Sequence, residues 1–320
     1  MTSEWVPLSL DDVHALVGLR AAIEAEDKTG ENYGVDDVTE LLADPLVDTD
    51  EGTLGVWEDG RLVAFGVLMA RPAAEPLHRM ILGGGVHPGH RRRGLGRRLV
   101  DWAVRSAPAL HEKRFPGRPL ELLAYVDDRN EGGKALVASA GLTPVRWFCG
   151  MGRDLTAEPP RAPLPEGLRI VAYHDDLEDA VRKVRNASFS DHWGSTRHTA
   201  ESWRNALIGT KAFRPEASFV AVDASGTSVA VLLTSHYEAD TAATGIREAW
   251  IQIIGTLREW RGRGVASAML AHALTEFRAQ GYQRAGLSVD ADSPTGALGV
   301  YTRAGFTVED RTITHAIWLA

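Results

Sequence analysis

An α+β fold present twice in tandem is what the sequence predicts, on three observations. The chain has 320 residues, about twice the length of an ordinary domain. Arg91-Arg92-Arg93-Gly94-Leu95-Gly96 returns as Arg261-Gly262-Arg263-Gly264-Val265-Ala266, 170 positions later (261 − 91), and motifs repeated at one offset are the mark of a duplicated unit. Between the copies, RDLTAEPPRAPLPEGLR carries Pro159, Pro160, Pro163 and Pro165, which remove backbone donors and favour an extended chain before them. The expected organisation is a first domain over residues 1–155, a Pro-rich linker over 156–168 and a second domain over 169–320.

The elements follow in the same order in both halves. Each opens with a helical region, Asp11 to Ala25 and Asp175 to Ser188. A hairpin comes next. In Gly52 to Met69 the turn is Glu58-Asp59-Gly60-Arg61, and in Ala217 to Tyr237 it is Ala224-Ser225-Gly226; Asp-Gly and Ser-Gly pairs suit such turns. MILGGGVHP (80–88) and AWIQIIGTL (249–257) are then expected as strands leading into the Arg/Gly loops. Behind each loop, apolar residues recur at helical spacing: Leu95, Leu99, Trp102 and Ala103 in the first half, and Val265, Met269, Leu270, Ala273, Leu274 and Phe277 in the second. LELLAYV (120–126) and AGLSV (285–289) are expected as strands. Each is followed by a short helix ending in Ala-Gly-Leu (140–142) or Ala-Gly-Phe (304–306), where glycine suits a left-handed helix end.

Composition narrows the function classes. Hydrophobic residues at 44% and charged residues at 24% are ordinary globular values and argue against fibre or wholesale disorder. With 35 Lys and Arg against 43 Asp and Glu, the net charge is −8, the wrong sign for a general nucleic-acid binder. The single cysteine, Cys149, cannot form an intrachain disulfide or, with no His/Cys cluster at zinc-ligand spacing, supply a metal site. The start MTSEWVPLSLDD has neither a basic nor an apolar leader region, and no apolar run approaches the roughly 20 residues that cross a bilayer. A cytoplasmic protein without membrane or nucleic-acid partners is expected; the oligomeric state is left open.

A strand entering an Arg/Gly loop and then a helix gathers free N–H groups and the positive end of a helix dipole at one point, which suits a diphosphate. The alternative, a solvated basic turn, fits two copies in the same context less well than one. No Gly-x-x-x-x-Gly-Lys-Ser/Thr string, dinucleotide fingerprint or Gly-x-Ser-x-Gly elbow is present.

Val86-His87-Pro88-Gly89-His90 followed by the first loop resembles the pyrophosphate motif of the GNAT superfamily of N-acetyltransferases, whose core is Arg/Gln-x-x-Gly-x-Gly/Ala. The second copy is similar but has Thr256 and Arg258 in place of Val86 and Pro88. Tyr301-Thr302-Arg303-Ala304-Gly305-Phe306 resembles the closing segment of that superfamily. Two such domains in one chain are similar to mycothiol synthase and its actinobacterial relatives. The resemblance implies in each domain a mixed, twisted β-sheet of six or seven strands with helices on both faces. It also implies acetyl-CoA as acyl donor, with its pyrophosphate on residues 91–96 and 261–266 and its pantetheine arm along Gly84, Gly85 and Val86 or Ile254, Gly255 and Thr256.

Acetyl transfer to an amine needs a proton acceptor for an amine whose pKa is about 10, donors for the oxyanion, and a proton for a thiolate whose pKa is about 8.5. In the superfamily a tyrosine four residues before the closing glycine supplies that proton. Tyr301 holds the place in the second half; Val137, before Gly141, holds it in the first. The second domain is therefore expected to be catalytic and the first to bind acyl-CoA with weak turnover or none. A packed aromatic is the other reading of Tyr301. For the base, Glu248 heads the central strand; Gln252, expected on the same face by the two-residue period, is no base but a candidate to position substrate or water; a solvated Glu248, or Asp290 and Asp292, stay open. For the acceptor, a small-molecule primary amine, Asp191 and Trp193 in Phe189-Ser190-Asp191-His192-Trp193-Gly194-Ser195 could pair with a cation and pack on its apolar part. A helix cap and a loop anchor are the alternatives. Tyr237, after a strand, is a further candidate for the acceptor cleft. The enzyme reading is thus an acetyl-CoA-dependent N-acetyltransferase without metal, set against an acyl-CoA-binding regulatory module.

Overall fold

A computed structural model of the chain describes residues 3–293 and 295–319. The chain divides into two compact units, residues 1–146 with 312–320 and residues 147–311.

Unit 1 runs β1 (Glu4–Val6), α1 (Val13–Asp27), α2 (Val35–Ala43), β2 (Thr53–Glu58), β3 (Arg61–Ala70), β4 (His78–Val86), α3 (Leu95–Arg114), β5 (Leu120–Asp127) and α4 (Glu131–Ser139). Its sheet has the order β1-β2-β3-β4-β5, antiparallel except for the parallel pair β4–β5. It is completed by residues 312–318, antiparallel to β5 from Thr312↔Asp127 to Trp318↔Glu121. The β2–β3 turn holds Asp59 at φ 49° and Gly60 at φ 74°, two left-handed residues in succession, which is why Asp-Gly was needed there.

Unit 2 runs from β6 (Thr143–Asp154) through β7 (Arg169–Ala172), α5 (Glu178–Ser188), α6 (Ala200–Trp203), β8 (Phe219–Val222), β9 (Ser228–Ser235), α7 (Glu238–Thr244), β10 (Glu248–Thr256), α8 (Val265–Ala279), β11 (Arg284–Asp290) and α9 (Ala297–Arg303) to the start of β12 (Thr307–Trp318). The order is β7-β8-β9-β10-β11, with β10–β11 parallel and the other pairs antiparallel. Residues 148–154 of β6 close it, antiparallel to β11 from Asp290↔Phe148 to Arg284↔Asp154.

Unit 1 therefore takes its sixth strand from residues that follow unit 2, and unit 2 takes its own from the residues that precede the Pro-rich stretch. The expected boundary lay in the Pro-rich stretch, with residues 147–155 in the first domain and 312–320 in the second; strand pairing divides the chain otherwise. Main-chain pairing needs only compatible strand edges, and composition carries no mark of which edge a strand will choose.

Helices cover both faces of each sheet. In unit 2, one core joins β8–β11 to α8, with Met269, Ala273, Leu274 and Phe277 fully buried. The other joins Val220, Val231 and Ile253 to Val181 and Val184 of α5. In unit 1, α1 and α2 cover one face and α3 the other. β3 and β9 are buried along nearly their whole length, as strands with helices on both sides must be. Truncation of Phe277 to alanine would leave a cavity costing about 3–5 kcal/mol.

Candidate functional site

In both units the two parallel strands part. β4 and β5 pair only from His78↔Leu120 to Leu82↔Ala124. β10 and β11 pair only from Glu248↔Arg284 to Trp250↔Gly286, although β10 continues to Thr256. Beyond those points the inner edge of each central strand has no strand partner among the described residues. Leu257 N–H donates to the Val229 carbonyl and His87 N–H to the Val63 carbonyl. Alternation along the strand therefore turns the N–H groups of Ile254 and Thr256, and of Gly84 and Val86, into the gaps.

Each gap ends at an Arg/Gly loop. Gly94 (φ 81°) and Gly264 (φ 84°) are the N-caps of α3 and α8 in the left-handed region, which permits the sharp entry from loop to helix. Among the described residues, the N–H groups of Gly94, Leu95 and Gly96, and of Gly264, Val265 and Ala266, have no protein acceptor. Leu95 and Val265 bury their side chains, so the main chain is what they offer. This geometry provides a cluster of donors at a helix N-terminus beside a free strand edge, a fit for an anion joined to an extended amide-bearing arm.

The arginines divide their labour differently from the sequence expectation. Arg91 is held bidentately by Asp27 at 2.7 and 2.8 Å and donates to the Val86 carbonyl at 3.1 Å. Arg261 is held by Asp191 at 2.6 and 3.2 Å and donates to the carbonyls of Ser188 (2.7 Å) and Thr256 (3.3 Å). Arg93 forks onto the buried Glu58 at 2.9 and 3.0 Å. Arg92, at φ 62°, and Gly262, at φ 72°, share one backbone conformation. Among the described residues Arg92 and Arg263 have no carboxylate partner; Arg263 lies over the Trp260 ring at 5.1 Å.

The expectation for Asp191 is corrected accordingly. Arg261 occupies its carboxylate and holds it below the usual carboxylate range, so it is not a free partner for a cationic amine. Trp193 packs on Phe148 of β6, ring centroids 6.3 Å apart, and Tyr237 is the N-cap residue of α7. For Gln252 the two-residue period does not hold. The pairing of β10 with β9 slips between Ile251 and Ile253, a bulge that breaks the two-residue period. Ala249 and Ile251 face the α8 core, whereas Ile253 faces the α5 core. Spacing from Glu248 therefore does not place Gln252 on the same face.

Glu248 is half-buried at the strand head. Its Oε1 accepts from Arg284 Nε at 2.6 Å, and Arg284 also pairs with Glu309. Burial raises the Glu248 carboxyl above its ordinary value against the pull of Arg284. Oε2 has no partner among the described residues. Tyr301, on α9, is 7% exposed and packs with Phe306, centroids 6.2 Å apart. Burial raises its pKa, so the phenol keeps its proton; no partner for its hydroxyl is found among the described residues. The corresponding Val137 is buried in unit 1.

Sequence reasoning missed Arg284, Glu58, Asp27 and the bulge, because ion pairs between distant elements and register slips leave no local pattern. No described helix is long and apolar enough to cross a membrane, and no group of three or more potential ligands for a metal occurs among the described residues.

Known proteins resemble this chain in sequence and fold. The profile of the acetyltransferase (GNAT) family matches residues 20–116 and 178–306. A mycothiol acetyltransferase from Cellulomonas flavigena is 33% identical over 226 residues, 69% of this chain and 62% of that protein. One from Mycolicibacterium vanbaalenii is 29% identical over 269 residues, 81% of each. Among solved structures, a GCN5-related N-acetyltransferase from Sphaerobacter thermophilus superposes with a TM-score of 0.75 at 24% identity, covering 99% of this chain and 96% of that one. A tandem GNAT protein from the clavulanic acid biosynthesis pathway gives 0.72 at 19%, covering 100% and 99%. These last two are likenesses of fold. With the family matched in both halves of the sequence, over more than half its length, the chain belongs to the acetyltransferase (GNAT) family and carries its domain twice.

Proposed function

We propose that the protein transfers an acetyl group from acetyl-CoA to the primary amine of a small molecule, and that unit 2 performs the chemistry. The observation that carries this reading is the parted β10–β11 pair of unit 2, with its free strand edge leading to the donor cluster at residues 264–266. In this scheme the pantetheine amides bond to Ile254 and Thr256, and the pyrophosphate accepts from the loop N–H groups with Arg263 nearby. The bulge at Gln252 re-aims one backbone N–H beside the gap, a suitable donor for the oxyanion.

The amine nitrogen attacks the thioester carbon, the C–S bond breaks, the amine proton passes to the Glu248 carboxylate, and the thiolate takes a proton from Tyr301. A carboxyl raised by burial is better matched to accepting a proton at neutral pH than an exposed one. Trp193 and Tyr237 are proposed as walls of the acceptor cleft. For unit 1 the favoured role is acyl-CoA binding without turnover. Val137 has no proton to give, β4 pairs with β3 without a bulge from Met80 to Val86, and Arg93 is neutralised by Glu58.

The test is thiol release from acetyl-CoA over a panel of amino sugars, amino acids and cysteinyl amides. Amine-dependent release that is lost in Tyr301→Phe supports the reading. Tight acetyl-CoA binding with no release from any amine supports the regulatory alternative.

A further inference from the structure

Both units carry the same three-way contact, and its function is separable from anion binding. The first arginine of each loop reaches back from the loop to the last carbonyl of the parted strand, Val86 or Thr256, and at the same time to a carboxylate, Asp27 closing α1 or Asp191 three residues beyond the end of α5. In unit 2 the tether holds more than a helix end. Asp191 lies in the segment 188–193, whose root is pressed on the strand: a Cβ at Gly255 would come within 3.0 Å of Ser188 Cβ and 3.1 Å of the Phe189 ring. The Phe189 and His192 rings meet at 4.8 Å, tilted by 40°, and Trp193 rests on Phe148, the residue paired with Asp290 at the end of β11. The segment is thus fixed to the β10 arm of the gap through Arg261 and to the β11 arm through Trp193.

We infer that Arg261 is a positioning residue: by clamping Asp191 and the Ser188 carbonyl to the Thr256 carbonyl, it ties the segment 188–193 to the donor loop, so that acetyl-CoA bound on that loop orders the acceptor side. The coupling rests on the donor proposed above; the clamp itself does not. A bidentate guanidinium–carboxylate pair with two further carbonyls fixes four points at once, which a lysine in the same place cannot do. A guanidinium engaged in this way has four of its five N–H donors committed inside the protein, so the pyrophosphate is met chiefly by the main chain and Arg263.

The experiment is hydrogen–deuterium exchange of residues 188–193 in the full chain, with and without acetyl-CoA, alongside calorimetric binding of acetyl-CoA, for wild type, Asp191→Asn, Asp191→Glu and Arg261→Lys. Without ligand, Asp191→Asn and Arg261→Lys are expected to speed exchange of the segment by about tenfold, and Asp191→Glu to restore part of the protection. With acetyl-CoA, the wild-type segment is expected to gain protection that Asp191→Asn does not, while the Kd of that variant stays within about threefold of wild type. Equal ligand-induced protection in Asp191→Asn would overturn the coupling. A Kd raised about tenfold or more in Arg261→Lys, with Asp191→Asn unchanged throughout, would make Arg261 a pyrophosphate ligand instead. If wild type binds no acetyl-CoA, the donor assignment and the coupling fail together, and unaltered ligand-free exchange in Asp191→Asn would remove the clamp as well.

Discussion

The two units share strand order, the parted parallel pair, the left-handed glycine cap and the arginine tether, yet they differ at each position proposed to carry a reactive group in unit 2. Glu248 at the head of β10 corresponds, 170 residues earlier, to His78 at the head of β4. There His111 Nε2 lies 2.7 Å from the Arg118 carbonyl and so carries its proton, which leaves His111 Nδ1 to accept from His78 Nδ1 at 2.7 Å. The pair is fully buried, and burial pushes His78 down to about 4. Where unit 2 has a half-buried carboxylate with one free oxygen, unit 1 has a buried pair of imidazoles. Tyr301 is answered by Val137, Arg263 by the Glu58-bound Arg93, and the bulged β10 by a regular β4. The comparison teaches that backbone architecture and side chains can diverge independently between two copies of a domain: the cradle persists in unit 1, whereas the side chains proposed to react in unit 2 do not.

The strand exchange offers the strongest way to break that comparison. Residues 312–318 end the chain but pair with β5 of unit 1. Removing 312–320 is expected to destabilise unit 1 by more than about 5 kcal/mol, the scale of a whole domain's stability, and to leave unit 2 protected. Limited proteolysis with mass mapping reads this directly. If unit 2 is the one to unfold, the assignment of strands to units is wrong.

The strand heads come next. His78 has a folded pKa below its unfolded value of about 6.5, so the unfolded chain binds the extra proton and stability is lost as pH falls from 6.5 towards 4. Unit 1 is expected to lose roughly 3 kcal/mol over that window from this group. Exchange of β4 and β5 amides at the two pH values should show the loss in wild type and a flatter dependence in His78→Leu. Identical slopes would remove His78 from the account.

For the chemistry, Tyr301→Phe is expected to lower the turnover number by about tenfold to a hundredfold with little change in acetyl-CoA affinity, and Val137→Ala to leave turnover unaltered; steady-state thiol release measures both. Smallest is the loop itself. Arg92 adopts the backbone conformation that Gly262 supplies in the other copy, so Arg92→Gly should raise the stability of unit 1 by up to about 1 kcal/mol, seen as a shift in its denaturation midpoint; a fall would show that the Arg92 side chain contributes more than its backbone costs.

Much of this was legible from residues alone. The Arg/Gly repeat placed both loops, the spacing from Val265 to Phe277 gave the buried face of α8, and Gly141 and Gly305 do sit past the helix ends at φ 90° and 86°. Those are local signals, set by turn stereochemistry and helical period. The strands β1, β6, β7 and β12 and the helices α2 and α7 lacked such a signal, being short, edge-placed or exchanged. Asp191 was misjudged for a related reason: Asp27 and Asp191 fill one role but are 164 residues apart (191 − 27), not 170, so the repeat does not reveal them as a pair.

The central claim, that one cradle serves chemistry and the other does not, is tested most directly by closing each in turn. Gly264→Asp and Gly94→Asp place a carboxylate at the two equivalent caps, where it repels a diphosphate; a Cβ at either position meets open space, and the left-handed backbone, φ 84° and 81°, imposes a similar strain on both, so the two variants compare like with like. Amine-dependent thiol release from acetyl-CoA should fall by about a hundredfold or more in Gly264→Asp and stay within about threefold of wild type in Gly94→Asp. Loss of turnover in Gly94→Asp with activity kept in Gly264→Asp, or equal loss in both, would contradict the division of labour.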